Sequence, residues 1–589
     1  MNNLARLCRT IATGMMTSQR QLASTMDLSV GSVNKLVKEA TDKGFLTQLN
    51  KIYELTPPGW EWMEQFKVDN AIILAAGFGS RFVPFTYETP KGLVKVNGTP
   101  MIEHQIEQLL EVGVTEIVIV VGYLKEKFDY LIDKYGVTLI YNPDYAKKNN
   151  FASLYHAREH LKNSYILVAD DWIESNIFTA YEPDSWMSCV YFDHPANEWG
   201  VTIGSFNRIT AINLSVDHGW ALIGPAYFTR EFSATYADLL DRYYHRLGTD
   251  ECFWESIVRD HLKELPIHIN RQDKDNVREF ESVEDLRDYD PNYLFNSNNR
   301  SLGIISTVFG IPHSQIRAIR PLKDGMTNLS FLFEVNGETF VFRQPGVGTD
   351  KLIDRHSEKR TYELIEPLGI ADEVRYFDGD SGVKISHYYK DSRIADPDND
   401  DDVRTLMALL KTIHDAGIHP SHRFDIEERI DYYEQLAKGA GPITFTDYDD
   451  VRGKADELLE LRRRLDIPEV LCHIDYVYSN ILFLPSGEIR VIDWEYSGGA
   501  DPLIDIAMFS IYALYTKEQI DQALRFYLLR EPTTEEETRL YMYVALGGFL
   551  WSVWTEYKQG LGDEFGEYSL DMYRYMKVYH RLLKDRGVL

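Results

Sequence analysis

Two stretches of the chain carry residue types suited to handling phosphate. In AIILAAGFGSRFVPFTYETPK, an apolar run ends in Ala75, Ala76, Gly77 and Gly79, with Arg81 close behind and Lys91 ten residues further on. Small residues let backbone N–H groups approach a polyphosphate without side-chain clash. A guanidinium and an ammonium then offset its charge. In HIDYVYSNILFLPSGEIRVIDWE, Asp475 stands five residues before Asn480, and Asp493 follows at the end of an apolar run. Carboxylates and an amide are hard oxygen groups of the kind that meet phosphate-bound cations. A bare Gly-x-Gly marks a tight turn more often than a site, and a lone His-x-Asp usually marks nothing. The fuller spacing is what points to chemistry.

These residues need several domains to hold them. The chain has 589 residues, more than one hydrophobic core supports, and three to four units are expected. Apolar content of 44% and charged content of 26% are those of a soluble globular protein. No apolar run reaches the ~18–20 residues of a membrane span, and the start MNNLARLCRTIATGMM lacks the apolar region of a signal peptide. Cys8, Cys189, Cys252 and Cys472 are scattered without metal spacing, so a reduced, cytoplasmic protein is expected. The net charge of -29 repels nucleic acid in general and obliges anionic substrates to find dedicated cations.

Along the chain, residues 1–66 predict short helices and a hairpin around Asn50-Lys51, with a net charge of about +1. This resembles a winged helix-turn-helix and implies DNA or a docking partner. Residues 68–290 alternate strands with helices, which predicts parallel βαβ units in a doubly wound sheet. Ligands of such sheets bind beyond the carboxyl ends of the strands, where the glycine loop and Asp170 fall. The Asn-, Ser- and Pro-rich Asp290 to Ser301 reads as a linker. Residues 302–589 begin with a small β-rich lobe, including a hairpin at VNGE, and continue from about Asp402 as a helical lobe, giving a bilobal α+β domain.

The pattern LAAG-x-G-x-R, Pro84 and Thr86, TPK and VNGTPMIEHQI resembles the sugar-phosphate and choline-phosphate nucleotidyltransferases. The likeness to bacterial CTP:phosphocholine cytidylyltransferases runs over most of 68–290 and includes VGYLKEKFDYL, NNFASLY, NEW and VREFESVEDL. That resemblance implies in-line attack of a phosphate oxygen on the α-phosphorus of CTP. It places the nucleotide on Ala75, Ala76, Gly77, Gly79, Gly122 and Tyr123, with Arg81 and Lys91 as the phosphate cations. It makes Asp170 the first Mg²⁺ ligand and Glu281 the second, where an Asp is expected. Asp171 is an alternative ligand, but a solvated loop carboxylate is its expected state. A trimethylammonium group is held by aromatic faces and carboxylates, for which Glu198, Trp199, Tyr155 and Trp254 are the candidates. A single tryptophan is more often plain core, and the matched motif raises Trp199 to about even.

From about 305 to the end, GMTN, R-x-PG, H-x-D-x-x-x-x-N, DWEYSGGADPLIDIA and LWSVWTEYKQ resemble the choline/ethanolamine kinases. Aminoglycoside phosphotransferases share the H-x-D…N…D core. The resemblance implies Asp475 as base, Asn480 and Asp493 as Mg²⁺ ligands, and a nucleotide-covering turn at Gly325, Thr327 and Asn328. Arg343 becomes the strand cation, paired with Glu358. Trp551 and Trp554, at i and i+3 of one helix, join Tyr496 and Glu495 as a choline cage. The two halves together imply synthesis of phosphocholine from choline and ATP, then of CDP-choline from phosphocholine and CTP. A sugar-1-phosphate nucleotidyltransferase fused to a sugar or aminoglycoside kinase, and a choline-responsive DNA-binding regulator, are the alternatives. A homo-oligomer is left open.

Overall fold

The computed structural model describes residues 2–295, 298–322, 328–346, 349, 353–465, 467–561 and 565–589. They form two compact units, Met1–Pro321 and Leu322–Leu589. Among the described residues no helix is long and apolar enough to cross a membrane.

The first unit opens with helices Asn3–Thr13, Gln19–Met26 and Val30–Asp42, the hairpin Leu46–Leu49/Ile52–Leu55, and helix Pro57–Met63. Asn2, Ser18, Ser29 and Thr56 each cap a helix N-terminus by accepting a backbone N–H. Asn50 and Lys51 both take positive φ, the geometry of a tight hairpin turn. This small module rests on the sheet domain that follows. Arg9 Nη2 lies 2.7 Å from Glu182 Oε1, and Glu182 is almost fully buried. Glu64 accepts a hydrogen bond from the Tyr181 hydroxyl at 3.0 Å, and Trp60 packs on the Tyr181 ring.

The sheet domain is built on four parallel strands in the order Ser164–Val168, Asn70–Ala75, Ile117–Val121 and Thr138–Tyr141. Their residues are nearly all apolar, because both faces are covered by helices. An antiparallel half continues the sheet from Gly219–Phe228, which pairs with Ser164–Val168. The short strand Val277–Glu279 pairs antiparallel with Asp171–Ile173 and sets Glu279 opposite Asp171.

The expected linker is not free. Asp290 is 2% exposed, and its carboxylate accepts the Asn97 N–H at 2.8 Å. The Tyr293 hydroxyl donates to Lys95 O at 2.6 Å, and Asn299 Nδ2 donates to Pro84 O. The polar residues that read as linker are satisfying backbone groups of the sheet domain. Helix Arg300–Phe309, which sequence assigned to the kinase segment, lies in the first unit.

In the second unit, strands Asn328–Val335, Glu338–Pro345, Lys384–His387 and Val374–Phe377 pair antiparallel in that order. The VNGE hairpin turns at Asn336 and Gly337, both at positive φ. Below it, Val470–Cys472 pairs with Gly498–Ala500, and Ile481–Phe483 pairs with Ile489–Val491. These short pairs frame the 473–480 loop. The rest is helical, dominated by Thr534–Gly560.

Candidate active sites

In the first unit the glycine loop leaves strand Asn70–Ala75 and borders a cavity of about 490 Å³. Ala75, Ala76, Gly77 and Gly79 line it on one side, Lys91 and Asp170 at its floor, and Tyr145 to Asn150 opposite. Gly79 has φ of 59°, and a Cβ there would meet Thr86 Cγ2 at 2.9 Å and Lys91 Cβ at 3.0 Å. A side chain at Gly122 would meet both Ala76 O and the Tyr145 Cβ at 2.7 Å. Tyr123 donates its N–H to Ala76 O at 3.0 Å, so the two neighbouring strand ends are tied together at the cavity.

Lys91 Nζ sits 2.5 Å from Asp170 Oδ2 and 3.7 Å from Glu279 Oε1. Burial works against its charge, but the two carboxylates outweigh it and raise the ammonium above its ordinary value. Burial, with Asp170 beside it, pushes the Glu279 carboxyl up to about 7. Arg81 pairs at 2.8 Å with Glu281, both side chains well exposed. Sequence named Glu281 and missed Glu279, which shares the extended stretch two residues earlier and reaches the buried cation. Asp171 is 3% exposed rather than solvated as expected. Burial, then Glu279 and Asp170, hold its carboxyl well above the usual range, and its Oδ2 has no hydrogen-bond partner among the described residues. Gln105, wholly buried, fixes this corner by donating Nε2 to Val168 O and Asp171 O.

The proposed choline wall is only partly assembled. Glu198 stands near this cluster, its carboxyl raised by burial and by Glu281, against the pull of Arg81. Trp199 is half-buried, edge-on to Phe253, with Arg259 over its ring at 5.4 Å. Trp254 is 2% exposed and packs against Phe228; it is core. Tyr155 stacks on Tyr244 at 3.6 Å and carries the Arg158 guanidinium at 4.1 Å from its ring centre. Its faces are taken, and it offers none to a ligand.

In the second unit Asn480 Nδ2 donates to Asp475 Oδ2 at 3.0 Å. Asp475 is half-buried; desolvation, then Asp493 and Glu495, hold its carboxyl well above the usual range. Asp493 takes φ of 67°. Burial and Glu495 push its carboxyl up to about 7. Just upstream, the β-branched Ile474 takes φ of 69°, a strained conformation for that side chain. Asp505 holds it there by accepting the N–H groups of His473 and Ile474 at 2.8 and 2.6 Å.

Arg343 and Glu358 form a two-pronged pair at 2.6 and 2.9 Å, as expected. Asp493 and Glu495 lie 3.6 and 3.7 Å from the same guanidinium. Arg355, missed in the sequence, binds Glu358 and Glu495 at 2.8 Å each and Asn328 Oδ1 at 3.0 Å. Glu495, read as a cage wall, is thereby committed to this charge network. Asn328 also donates to it at 3.1 Å. Thr327 and Gly325 lie outside the described residues. Of the aromatic cage, Tyr496 and Trp551 meet edge to face at 5.9 Å. Trp554 is 3% exposed and packs on Trp551 and Phe565, so it backs the wall rather than facing a ligand.

Residues 71–170 match the MobA-like NTP transferase domain, and residues 318–541 match the phosphotransferase enzyme family. The choline-phosphate cytidylyltransferase of Streptococcus pneumoniae is 40% identical over 217 residues, 37% of this chain and 95% of that protein. The 2-aminoethylphosphonate cytidylyltransferase of Lancefieldella rimae is 34% identical over 230 residues, 38% of this chain and 94% of that protein. The crystal structure of choline kinase LicA from Streptococcus pneumoniae, 28% identical, covers 48% of this chain and 97% of that one, with a TM-score of 0.43. The chain thus joins a nucleotidyltransferase fold to a kinase-like fold, and through its middle segment it belongs to the choline-phosphate cytidylyltransferase family.

Proposed function

We propose that the chain makes CDP-choline in two steps. The second unit phosphorylates choline with ATP: Asp475 takes the hydroxyl proton, the choline oxygen bonds to the γ-phosphorus, and ADP leaves. The first unit then joins a phosphocholine oxygen to the α-phosphorus of CTP, and pyrophosphate leaves. Lys91 and Arg81 meet the phosphate charge there, and Arg343 and Arg355 hold the carboxylate network of the kinase site. Asp170 with Glu279 and Glu281, and Asn480 with Asp493, are hard oxygen donors suited to Mg²⁺. Bound Mg²⁺ supplies neutralisation of the phosphate oxygens.

The observation that carries this reading is the pairing of sites. A kinase creates a phosphate monoester, which a cytidylyltransferase of this family consumes. A phosphonate substrate carries its C–P bond already and needs no kinase, so phosphate is favoured over phosphonate. The intact Asp475–Asn480 contact and the packed Tyr496–Trp551 corner favour catalysis on a cationic alcohol over sensing, and over an uncharged sugar. Four unpaired cysteines suit the cytoplasm. The test is purified protein with choline, ATP, CTP and Mg²⁺, followed by mass. Phosphocholine then CDP-choline is expected. Turnover of glucose 1-phosphate or an aminoglycoside instead overturns the assignment.

A specific observation also favours a DNA partner for the N-terminal module. Arg9 of its first helix and Trp60 of its fourth contact the sheet domain, whereas Ser32, Asn34, Lys35 and Lys38 of helix Val30–Asp42 are exposed. Such side chains at the start of a helix suit base edges and phosphates. Selection from a randomised duplex library tests this. Enrichment lost in a Lys35→Glu, Lys38→Glu variant supports it; no enrichment removes it.

A further inference from the structure

The stretch that follows the transferase sheet reaches back to the loop carrying Lys91, and no step of the proposed chemistry uses it. Lys91 Nζ lies over the Phe82 ring, 5.6 Å from its centre. Phe82 is fully buried, and its ring lies 6.2 Å from that of Phe85. The Phe85 ring meets that of Tyr293 edge to face at 5.5 Å. Tyr293 is fastened in turn, its hydroxyl donating to Lys95 O at 2.6 Å. Between the two phenylalanines, Pro84 O accepts from Asn299 Nδ2 at 3.3 Å. A row of rings thus runs from the ammonium of Lys91 to a tyrosine that composition assigned to a linker.

Strand Arg317–Pro321 packs against the same loop, at Ser80–Phe82. That strand is held by helix Val283–Tyr289, which begins two residues after Glu281. Arg287 on this helix is 6% exposed. Its Nη groups donate to Ile316 O at 2.6 Å and His313 O at 3.1 Å. Glu284, one turn earlier, accepts the Ile319 N–H at 3.3 Å. Burying a guanidinium is costly, and its rigid fork fixes the direction of both carbonyls. The chain bears that cost where it turns into the strand that touches the loop. A joint that only carried the chain onward could leave those carbonyls to water.

We propose that Tyr293 and Arg287 are positioning residues for nucleotidyl transfer, which set where the Lys91 ammonium stands. Tyr293 acts through Phe85 and Phe82, and Arg287 through strand Arg317–Pro321. This rests on the cytidylyltransferase reading of the same site. A phosphate cation works only where the charge of the transition state develops, so a small misplacement is felt in rate. Loss of either residue should therefore fall on kcat rather than on substrate affinity, and only while Lys91 is there to be positioned.

The test is steady-state kinetics of the full chain with CTP and phosphocholine, on Tyr293→Ala and Arg287→Gln, each alone and combined with Lys91→Ala. Each single variant should lower kcat for CDP-choline by about threefold to a hundredfold, with KM for both substrates little changed. Arg287→Lys, which keeps a donor for the carbonyls, should recover most of the rate. In the Lys91→Ala background the same substitutions should cost no further rate, because residues that act as a unit are not additive. An undiminished loss in that background overturns the proposal, since the damage would then reach the site by another route. So does a normal kcat in both single variants. Should Tyr293→Ala not fold, Tyr293→Leu decides by the same cycle. If the wild type turns over another nucleotide, the cytidylyl reading fails separately, and the cycle decides the positioning role on that nucleotide.

Discussion

Lys91 and Arg343, the cations proposed for the two phosphate sites, are held by carboxylates in opposite ways. Lys91 stands in a solvent-reached cavity with its partners, Asp170 and Glu279, drawn from the residues that suit a metal ion. On the proposed reading, substrate and metal break that pairing, so the cation is on loan to the carboxylates. Arg343 is bound by both prongs to Glu358, which burial would neutralise but which Arg343 holds below the usual carboxylate range. Arg355 braces the same glutamate and Glu495. Here the charge network is finished before any ligand comes. An acidic protein thus keeps positive charge available either by temporary self-pairing or by permanent structure. The first gives a site that rearranges, the second a site that is preorganised.

The sharpest break between the two sites is Asp475→Asn. It keeps the shape and the Asn480 contact but removes the base. Choline phosphorylation should fall by about 10²–10⁴, while CDP-choline formation from supplied phosphocholine continues. Loss of both in a folded variant would mean that the sites are not independent. Lys91→Ala reverses the pattern. Cytidylyl transfer should fall about 10²–10³-fold and the reaction should stop at phosphocholine. A normal rate of CDP-choline formation would remove Lys91 from the mechanism.

Trp551→Ala probes the kinase wall at its open side. One desolvated cation–π contact is worth ~0.5–2 kcal/mol, so the choline-to-ethanolamine ratio of kcat/KM should fall about two- to thirtyfold with the ATP KM unchanged. Trp554→Ala, behind it, should lower the melting temperature with little change in that ratio.

The smallest effect is on pH. Glu279 and Asp493 each hold a carboxyl near 7, raised by burial. A carboxyl whose folded value lies above its unfolded value gives stability that is present at low pH and lost as pH rises through the folded value. Without Mg²⁺ these two groups should therefore make the protein melt lower at pH 8 than at pH 6. Only the anionic forms hold a cation, so Mg²⁺ should raise melting more at pH 8. Both activities should decline by up to about tenfold per unit below pH 7. A Mg²⁺ effect independent of pH would remove these carboxyls from the metal sites.

Much of this was legible because spacing fixes geometry locally. The strand–loop–cation order around Gly79 and the Asp475–Asn480 interval survive folding unchanged, and so does the Arg343–Glu358 pair. Arg355 was within reach of the same logic, three residues before Glu358 on one helix face. Glu279 was not. In an extended stretch residues two apart share a side, and only the pairing of Val277–Glu279 with Asp171–Ile173 chooses which carboxylate meets Lys91. Trp254 and Tyr155 misled for a related reason. Sequence marks an aromatic residue but not whether its faces are already taken. The Asn- and Pro-rich stretch after Asp290 was read by composition, and composition does not distinguish residues that satisfy a neighbour's backbone from residues that face water.

The Arg9–Glu182 contact bears on how the protein can be cut. Glu182 is buried, and it also accepts hydrogen bonds from the hydroxyls of Thr179 and Tyr165. Removing residues 1–66 would strip the cation from a carboxyl that burial already pushes up, and leaving a buried carboxylate without its partner is destabilising. Tyr165 belongs to the strand Ser164–Val168 that leads to Asp170, so the damage would travel along the sheet's central strand. Truncation at residue 67 is therefore surgery on the cytidylyltransferase itself, and a shortened chain should express poorly or melt early even though every residue of its catalytic cavity is present.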